Sequence, residues 1–364
     1  MVEPIYVPAL PARKNSLEAY EGLAPPIRAA VAPLWTIPPR VGPARARGYR
    51  TAFPLDLSPG LLTQYLRGMA ISILNAQQEM PAWVDAFHVE GQAEPVTAGL
   101  WTLLAQSPVR LVTGIDRAEW QQVACARLAR DSRNGLGIRI QLTDLPDERD
   151  VVALQRLLYR FGTQSLALDL LLDVGSVTDE HHQADKWALR AVDLLGALYS
   201  WRTVVVLAGA FPRVLPDDAA MSPVEAHRFD WDVWHMVRHA REGQSRHIAY
   251  GDYGAQHTSG ADQPSTSGGG PPWGVLRYTT ERTFLVAKAP TVGPGRTAAV
   301  RSLARQIVGT DDYRGARFSD GDLWFADCAR LTGKEGTGNA GIWAGVGHNQ
   351  HMTYVVEQLS AAAT

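Results

Sequence analysis

Short runs of apolar residues alternate with longer amphipathic segments along the first 254 residues. Most of these runs are continuously apolar, which is typical of parallel strands that are covered on both faces. The segments between them carry helix signals, such as the acidic start and the arginine near the end of residues 146–161. The pattern predicts eight strands, at residues 5–9, 34–38, 83–89, 109–114, 137–142, 166–173, 203–209 and 247–254.

Eight strands that alternate with helices predict an α/β fold, a (β/α)8 TIM-like barrel, within about 250 residues. The main alternative is a doubly wound open sheet, which often carries a glycine-rich phosphate loop. Neither GxGxxG nor GxxxxGK[ST] occurs in the sequence. Ser222 and Pro223 predict the start of the helix that precedes the eighth strand.

The pattern changes after residue 254. Residues 257–272 are rich in Ser, Gly and Pro and predict a flexible loop. Residues 275–288 alternate between apolar and polar and predict a β-hairpin that turns at 280–282. Helices are predicted to follow. We therefore divide the chain into a barrel, residues 1–254, and a C-terminal α+β appendage, residues 255–364, that packs on it.

In a barrel of this kind the active face lies at the carboxyl ends of the strands. Asp169 stands inside an apolar run and is expected to face the lumen, as a site residue or as a structural carboxylate paired with Arg139. Asp252, in the stretch GDYG, is expected either to serve a pocket or to form a turn. The predicted catalytic residues are Asp85, Arg139, Asp169 and Asp252, and the predicted substrate-binding residues are Lys14, Asp173, Tyr253, Lys288 and His348.

Composition narrows the classes of partner and cofactor. A net charge of −2 gives no overall attraction to nucleic acid or to an anionic membrane, so a protein partner or a second copy is favoured over nucleic acid. No signal peptide or membrane-spanning run is visible, which predicts a soluble, cytoplasmic protein. His348 and His351 lack a third ligand at metal spacing, so no metal-binding residue is assigned. The cofactor is unknown, with magnesium at the acidic mouth as one option.

Five segments carry a family resemblance. They are YVPALPARKNSLEAYEGL, IRAAVAPLWTIPP, GDYG, FSDGD and GNAGIWAGVGHNQHMTYVVEQL. Together, in order along nearly the whole chain, they resemble the beta protein family, which takes its name from a protein of bacteriophage T4. The resemblance implies a (β/α)8 barrel and a phage or anti-phage defence setting. It implies no particular reaction.

Two functions are compatible with these observations. The first is an enzyme, by analogy with other barrels: a hydrolase of phosphorylated or nucleotide-like substrates that uses the acids at the barrel mouth. Those acids would act as base or magnesium ligand, and the basic residues would stabilise the anion. The alternative is a non-catalytic binding or scaffold component of a phage-defence complex, which the appendage and its long loop would suit.

Overall fold

The structure, a computed structural model, describes residues 5–39, 59–90, 94–162, 166–178, 183–241, 247–260, 273–330 and 336–362. The flexible loop predicted over 257–272 lies outside the described residues from residue 261 onwards, and residues 258–260 form a short 3-10 turn.

Strands and helices alternate through most of the chain. The strands are β1 (Tyr6–Pro11), β2 (Leu34–Thr36), β3 (Ala82–Asp85), β4 (Val109–Thr113), β5 (Leu136–Gln141), β6 (Leu168–Ser176), β7 (Thr203–Gly209), β8 (Val224–His227), β9 (Ile248–Asp252), β10 (Trp273–Thr279) and β11 (Thr283–Pro290). The helices are α1 (Lys14–Glu21), α2 (Pro25–Ala30), α3 (Pro59–Gln77), α4 (Phe87–Glu90), α5 (Glu94–Leu104), α6 (Glu119–Ser132), α7 (Glu148–Phe161), α8 (Ala184–Leu194), α9 (Phe229–Ala240), α10 (Arg296–Val308), α11 (Asp320–Ala329) and α12 (Ala340–Ala361).

Eight parallel strands close into a ring in the order β1-β2-β3-β4-β5-β6-β7-β9. Strand β9 pairs back onto β1, with Tyr6 opposite Tyr250 and Pro8 opposite Asp252. The predicted (β/α)8 barrel is confirmed, and the open sheet is excluded because the first and last strands are hydrogen-bonded.

Each barrel strand feeds two separate cores because its side chains alternate between two faces. One core fills the lumen and includes Val7, Trp83 and Leu171. The other lies between the strands and the surrounding helices and includes Tyr6 and Tyr250. The face to which a polar residue belongs therefore decides whether it meets the lumen or the helix layer.

Strands β8, β10 and β11 form a separate three-stranded antiparallel sheet in the order β10-β11-β8, so residues 224–227 join strands that follow residue 254. One face of this sheet packs on α10, α11 and α12, and the other packs on the loop that follows β7.

The predicted start of a helix at Ser222-Pro223 is wrong, because strand β8 occupies this segment. That helix, α9, begins at Phe229, and Val224–His227 instead pair with β11. Val224 and Ala226 pack against the apolar face of the sheet while Glu225 is exposed, which is strand alternation. The helical pattern of α9 begins directly after these four residues, so the sequence pattern alone predicts them to be the first turn of that helix.

Candidate functional site

A cleft of about 1380 Å³ opens between the carboxyl end of the barrel and the antiparallel sheet. The segments that line it include the start of α1, the loop after β7, the turn after β9, strand β10, the start of α12 and one face of α3. The first three follow carboxyl ends of barrel strands, which is the face where barrels of this type place their ligands.

Basic side chains dominate the charged lining of the cleft. Arg13, Lys14, Arg213 and Arg277 line it together with two acids, Glu18 and Glu21. Lys14 is exposed and lies 3.6 Å from the exposed Glu18, a weak surface pair. The cleft therefore carries an excess of positive charge in a protein whose overall charge is −2.

Arg277 is the most unusual of these cations. It is half-buried, its Nη1 donates to the Ala255 carbonyl at 2.7 Å, and its guanidinium lies 5.2 Å from the centre of the Phe211 ring. Burial lowers its pKa to about 10, and no carboxylate of the described ranges pairs with it. A guanidinium that is partly removed from water without a carboxylate partner is poised to take an anion.

His348 lies directly behind Arg277. Its ring is fully buried, and in the described part of the chain neither ring nitrogen has a hydrogen-bond partner. Burial first, and then the charge of Arg277, lowers the pKa of His348 to about 3, so the ring is neutral. Gly254 has φ +62°, and a Cβ at that position would lie 2.7 Å from His348 Nδ1, so the turn after β9 needs glycine there.

A network of charged groups closes the carboxyl end of the lumen, below the cleft. Arg139 Nη1 donates to Asp85 Oδ2 at 2.8 Å, and Nη2 donates to Asp173 Oδ2 at 2.6 Å and to the Tyr253 hydroxyl at 3.1 Å. The Tyr253 hydroxyl donates to both oxygens of Asp173 at 2.8 Å. The Gly175 amide, at a bulge in β6, also donates to Asp173. Four of the nine predicted site residues therefore meet here, and all four are buried. They are Asp85, Arg139, Asp173 and Tyr253.

Arg117 extends this network toward the helix layer. It donates to Asp85 at 3.1 Å and to Glu90 Oε2 at 3.1 Å, and Gln121 donates to Glu90 Oε1 at 2.8 Å. Burial raises the pKa of Glu90 to about 7, because Arg117 is shared with Asp85 and offsets only part of the desolvation cost. Glu90 therefore changes its charge near neutral pH.

Replacing Glu90 by Gln is expected to remove a pH dependence of stability. A carboxyl with a raised folded pKa stabilises most below its unfolded pKa, and that contribution is lost as the pH rises through about 7. Between pH 5 and pH 8.5 the parent should lose about 2–3 kcal/mol of unfolding free energy that the Gln variant does not lose. Urea unfolding of both proteins at both pH values measures this. Glu119→Gln on the exposed face of α6 is the control. If the unfolding free energies of E90Q and the parent change equally with pH, Glu90 does not have a raised pKa.

Asp169 lies in the lumen but at the opposite, amino end of the barrel. Its carboxylate accepts hydrogen bonds from Arg202 Nε at 2.7 Å, from the Trp83 indole at 2.9 Å and from Arg110 at 3.3 Å. It is the second residue of β6, four positions before Asp173. The structure therefore separates Asp169 from Arg139 and from the cleft.

Asp252 lies outside the lumen, between β9 and α12. Its Oδ1 accepts from the Tyr6 hydroxyl at 2.7 Å and from the Gly254 amide at 2.8 Å, and its Oδ2 lies 2.8 Å from His351 Nε2. His351 Nδ1 is 2.8 Å from the Thr279 hydroxyl. The arrangement has the connectivity of an acid–histidine–hydroxyl triad, but all of its members are buried, so its hydroxyl cannot meet a substrate.

The described residues do not fit the magnesium ion that the acidic mouth suggested. Within these ranges no group of three His, Cys, Asp or Glu side chains is arranged to hold a metal ion. The oxygens of Asp85 and Asp173 are occupied by guanidinium, hydroxyl and amide donors instead.

A known protein family matches the residues that form the barrel and the cleft. The family model described as Beta protein matches residues 6–357. The chain belongs to the beta protein family. Searches of curated proteins and of solved structures found no match. In the part of the chain that the structure describes, no helix is long and apolar enough to cross a membrane.

In this member of the beta protein family, the cleft also contains residues that sequence reasoning missed. Arg213, His257, Trp273 and Arg277 line it, whereas the predicted Lys288 lies beside Trp273 with its ammonium 3.5 Å from Asp217. The sequence pattern puts Arg277 and Trp273 on one face of an alternating strand, but it does not show that this strand lines a cleft.

Proposed function

We propose that this protein binds a phosphorylated small molecule in the cleft and hydrolyses the bond from phosphorus to a bridging oxygen, in an ester or in a phosphoanhydride. Arg277 carries the proposal. Its guanidinium is half-buried against Phe211, spends one hydrogen bond on the Ala255 carbonyl and faces no carboxylate among the described residues. Guanidinium groups bind phosphate through paired, charge-assisted hydrogen bonds, and partial burial strengthens them.

The surroundings of Arg277 also favour an anion. Arg13, Lys14 and Arg213 bring more positive charge to the same cleft, which raises the local concentration of an anionic ligand.

His257 is the group that we assign to proton transfer. It lines the cleft, with Nδ1 2.8 Å from the Ser259 hydroxyl and Nε2 3.4 Å from the Ser176 hydroxyl. In the proposed step a water oxygen bonds to phosphorus and one water proton moves to a non-bridging phosphate oxygen, while the bond from phosphorus to the bridging oxygen breaks. The Ser259 amide donates to His257 Nδ1 at 3.1 Å, so Nε2 carries the ring proton. His257 gives that proton to the departing oxygen and regains one from the new phosphate. Arg139 and Asp173 act as positioning residues through the bulge that presents Ser176.

A second candidate is binding without turnover, as part of a phage or anti-phage complex that the family resemblance suggests. The pairing of Asp85 and Asp173 with arginines favours it, because neither carboxylate is left to act as a base. Turnover of p-nitrophenyl phosphate or of inorganic triphosphate by the full chain, abolished in His257→Ala, supports hydrolysis. Tight binding with no turnover supports the second candidate.

Arg277→Gln is expected to weaken the binding of inorganic triphosphate by about 10- to 100-fold, because charge-assisted hydrogen bonds are among the strongest that a protein makes. Isothermal titration calorimetry of the full chain measures this. Arg277→Lys should recover only part of the affinity, since it restores the charge without the planar fork.

The matched control is Arg156→Gln, on the outer face of α7 and away from the cleft. It should bind triphosphate like the parent. Equal affinities for R277Q, R156Q and the parent, with all three proteins folded, would rule out Arg277 as the phosphate ligand.

A further inference from the structure

We propose that the ligand is a nucleotide with more than one phosphate, whose base stacks on Trp273 while its phosphate chain reaches Arg277. This inference rests on the proposed function and names its substrate class. It is carried by one face of strand β10, which presents an aromatic ring and a guanidinium to the same cleft.

Strand geometry puts these two side chains on one side of the sheet. Trp273, Val275 and Arg277 alternate along β10, and all three line the cleft. Their register partners on β11 are Pro290, Lys288 and Val286. The cleft wall therefore runs from an aromatic group, across an apolar residue, to a cation.

Trp273 is partly exposed in the cleft and is not part of a hydrophobic core. Its side chain is 40% exposed, although tryptophan is among the residues that gain most from burial. Lys288 holds its ammonium 5.3 Å from the ring centre, and Asp217 pairs with that ammonium. A cation held against the ring fixes its orientation, and a fixed, partly exposed indole is a surface on which a nucleobase stacks.

The spacing along β10 selects the length of the ligand. Four residues of extended strand separate the two Cα atoms by about 13 Å. The Arg277 guanidinium is held in place over the Phe211 ring and by the Ala255 carbonyl. A base on Trp273 therefore places the single phosphate of a monophosphate short of Arg277, whereas a diphosphate or triphosphate chain spans the gap.

Calorimetry on the full chain tests this with the four ribonucleoside triphosphates, their monophosphates and inorganic triphosphate. At least one nucleoside triphosphate should bind tighter than both its monophosphate and inorganic triphosphate. Trp273→Ala should weaken that nucleotide by about 5- to 150-fold, the usual range for loss of one stacked base. Trp273→Phe, which keeps a ring, should recover most of the affinity, and W273A should bind inorganic triphosphate like the parent.

The outcomes separate this inference from the proposed function. If inorganic triphosphate binds as tightly as every nucleotide and R277Q weakens it, the phosphate site stands and the base site is refuted. If W273A leaves nucleotide affinity unchanged, the base site is also refuted. If W273A weakens inorganic triphosphate equally, Trp273 acts through the sheet rather than by stacking, and the inference fails. If R277Q changes no affinity, the proposed function fails with it.

Discussion

Arg139→Gln is expected to lower the free energy of unfolding by about 3–5 kcal/mol at pH 7. The guanidinium of Arg139 joins two carboxylates at the top of the lumen, Asp85 at 2.8 Å and Asp173 at 2.6 Å. Both acids are nearly inaccessible to water. Without the cation, the two buried carboxylates keep only part of the opposite charge and hydrogen bonds that offset their removal from water. Loss of a buried partner costs far more than loss of an exposed one.

The loss should shrink as the pH falls. Burial alone would raise the pKa of Asp85, but Arg117 and Arg139 outweigh it and hold that pKa below its ordinary value. A carboxylate with a depressed folded pKa stabilises the fold above its unfolded pKa, and this contribution disappears as the pH falls through the folded value. The difference between R139Q and the parent should therefore be largest near neutrality and should shrink as the pH falls below the ordinary aspartate pKa of about 3.9.

Urea unfolding of both proteins at several pH values measures this difference. Arg149→Gln is the matched control, because its pair with Asp147 is exposed and should be worth less than about 1 kcal/mol. A loss for R139Q no larger than that of R149Q would show that the network is not a major source of stability.

The fold could be predicted because a parallel strand covered on both faces leaves a strong local signal. Residues 203–209, TVVVLAG, were predicted as a strand and form β7 with the same limits. Where a strand is short and a helix follows at once, the signal is mixed. The prediction for 83–89 therefore ran past Asp85, where β3 ends, into α4. The antiparallel β8 was missed for the same reason, since only its contact with β11 defines it.

The candidate site was harder to predict because it depends on where each strand stands along the barrel axis and on which face a residue occupies. Asp169 and Asp173 share a strand and a face, yet they lie at opposite ends of the lumen. Asp252 ends its strand on the expected rim but points outward to α12. Arg277 belongs to the antiparallel sheet outside the barrel, and no local sequence pattern shows that its strand lines the cleft.

Asp252→Leu is expected to lower the free energy of unfolding by about 3–5 kcal/mol. The change removes the acceptor of three buried donors, each of which costs about 1–3 kcal/mol when it is left unpaired, and relaxation of the surrounding structure recovers part of the sum. The donors are the Tyr6 hydroxyl, the Gly254 amide and His351. Through His351 the same carboxylate reaches Thr279 of β10, so it joins the barrel to the sheet that forms the cleft wall.

Asp252→Asn separates this structural role from the catalytic role predicted from the sequence. The amide keeps an oxygen for Tyr6 and Gly254, so D252N should lose less than half as much stability as D252L, by urea unfolding. A structural Asp252 predicts that D252N binds triphosphate and turns over substrate like the parent whenever it is folded. A catalytic Asp252 predicts the reverse, a folded protein without turnover. Burial on every side, with each oxygen already bonded, favours the first result, since a base must reach the proton that it takes.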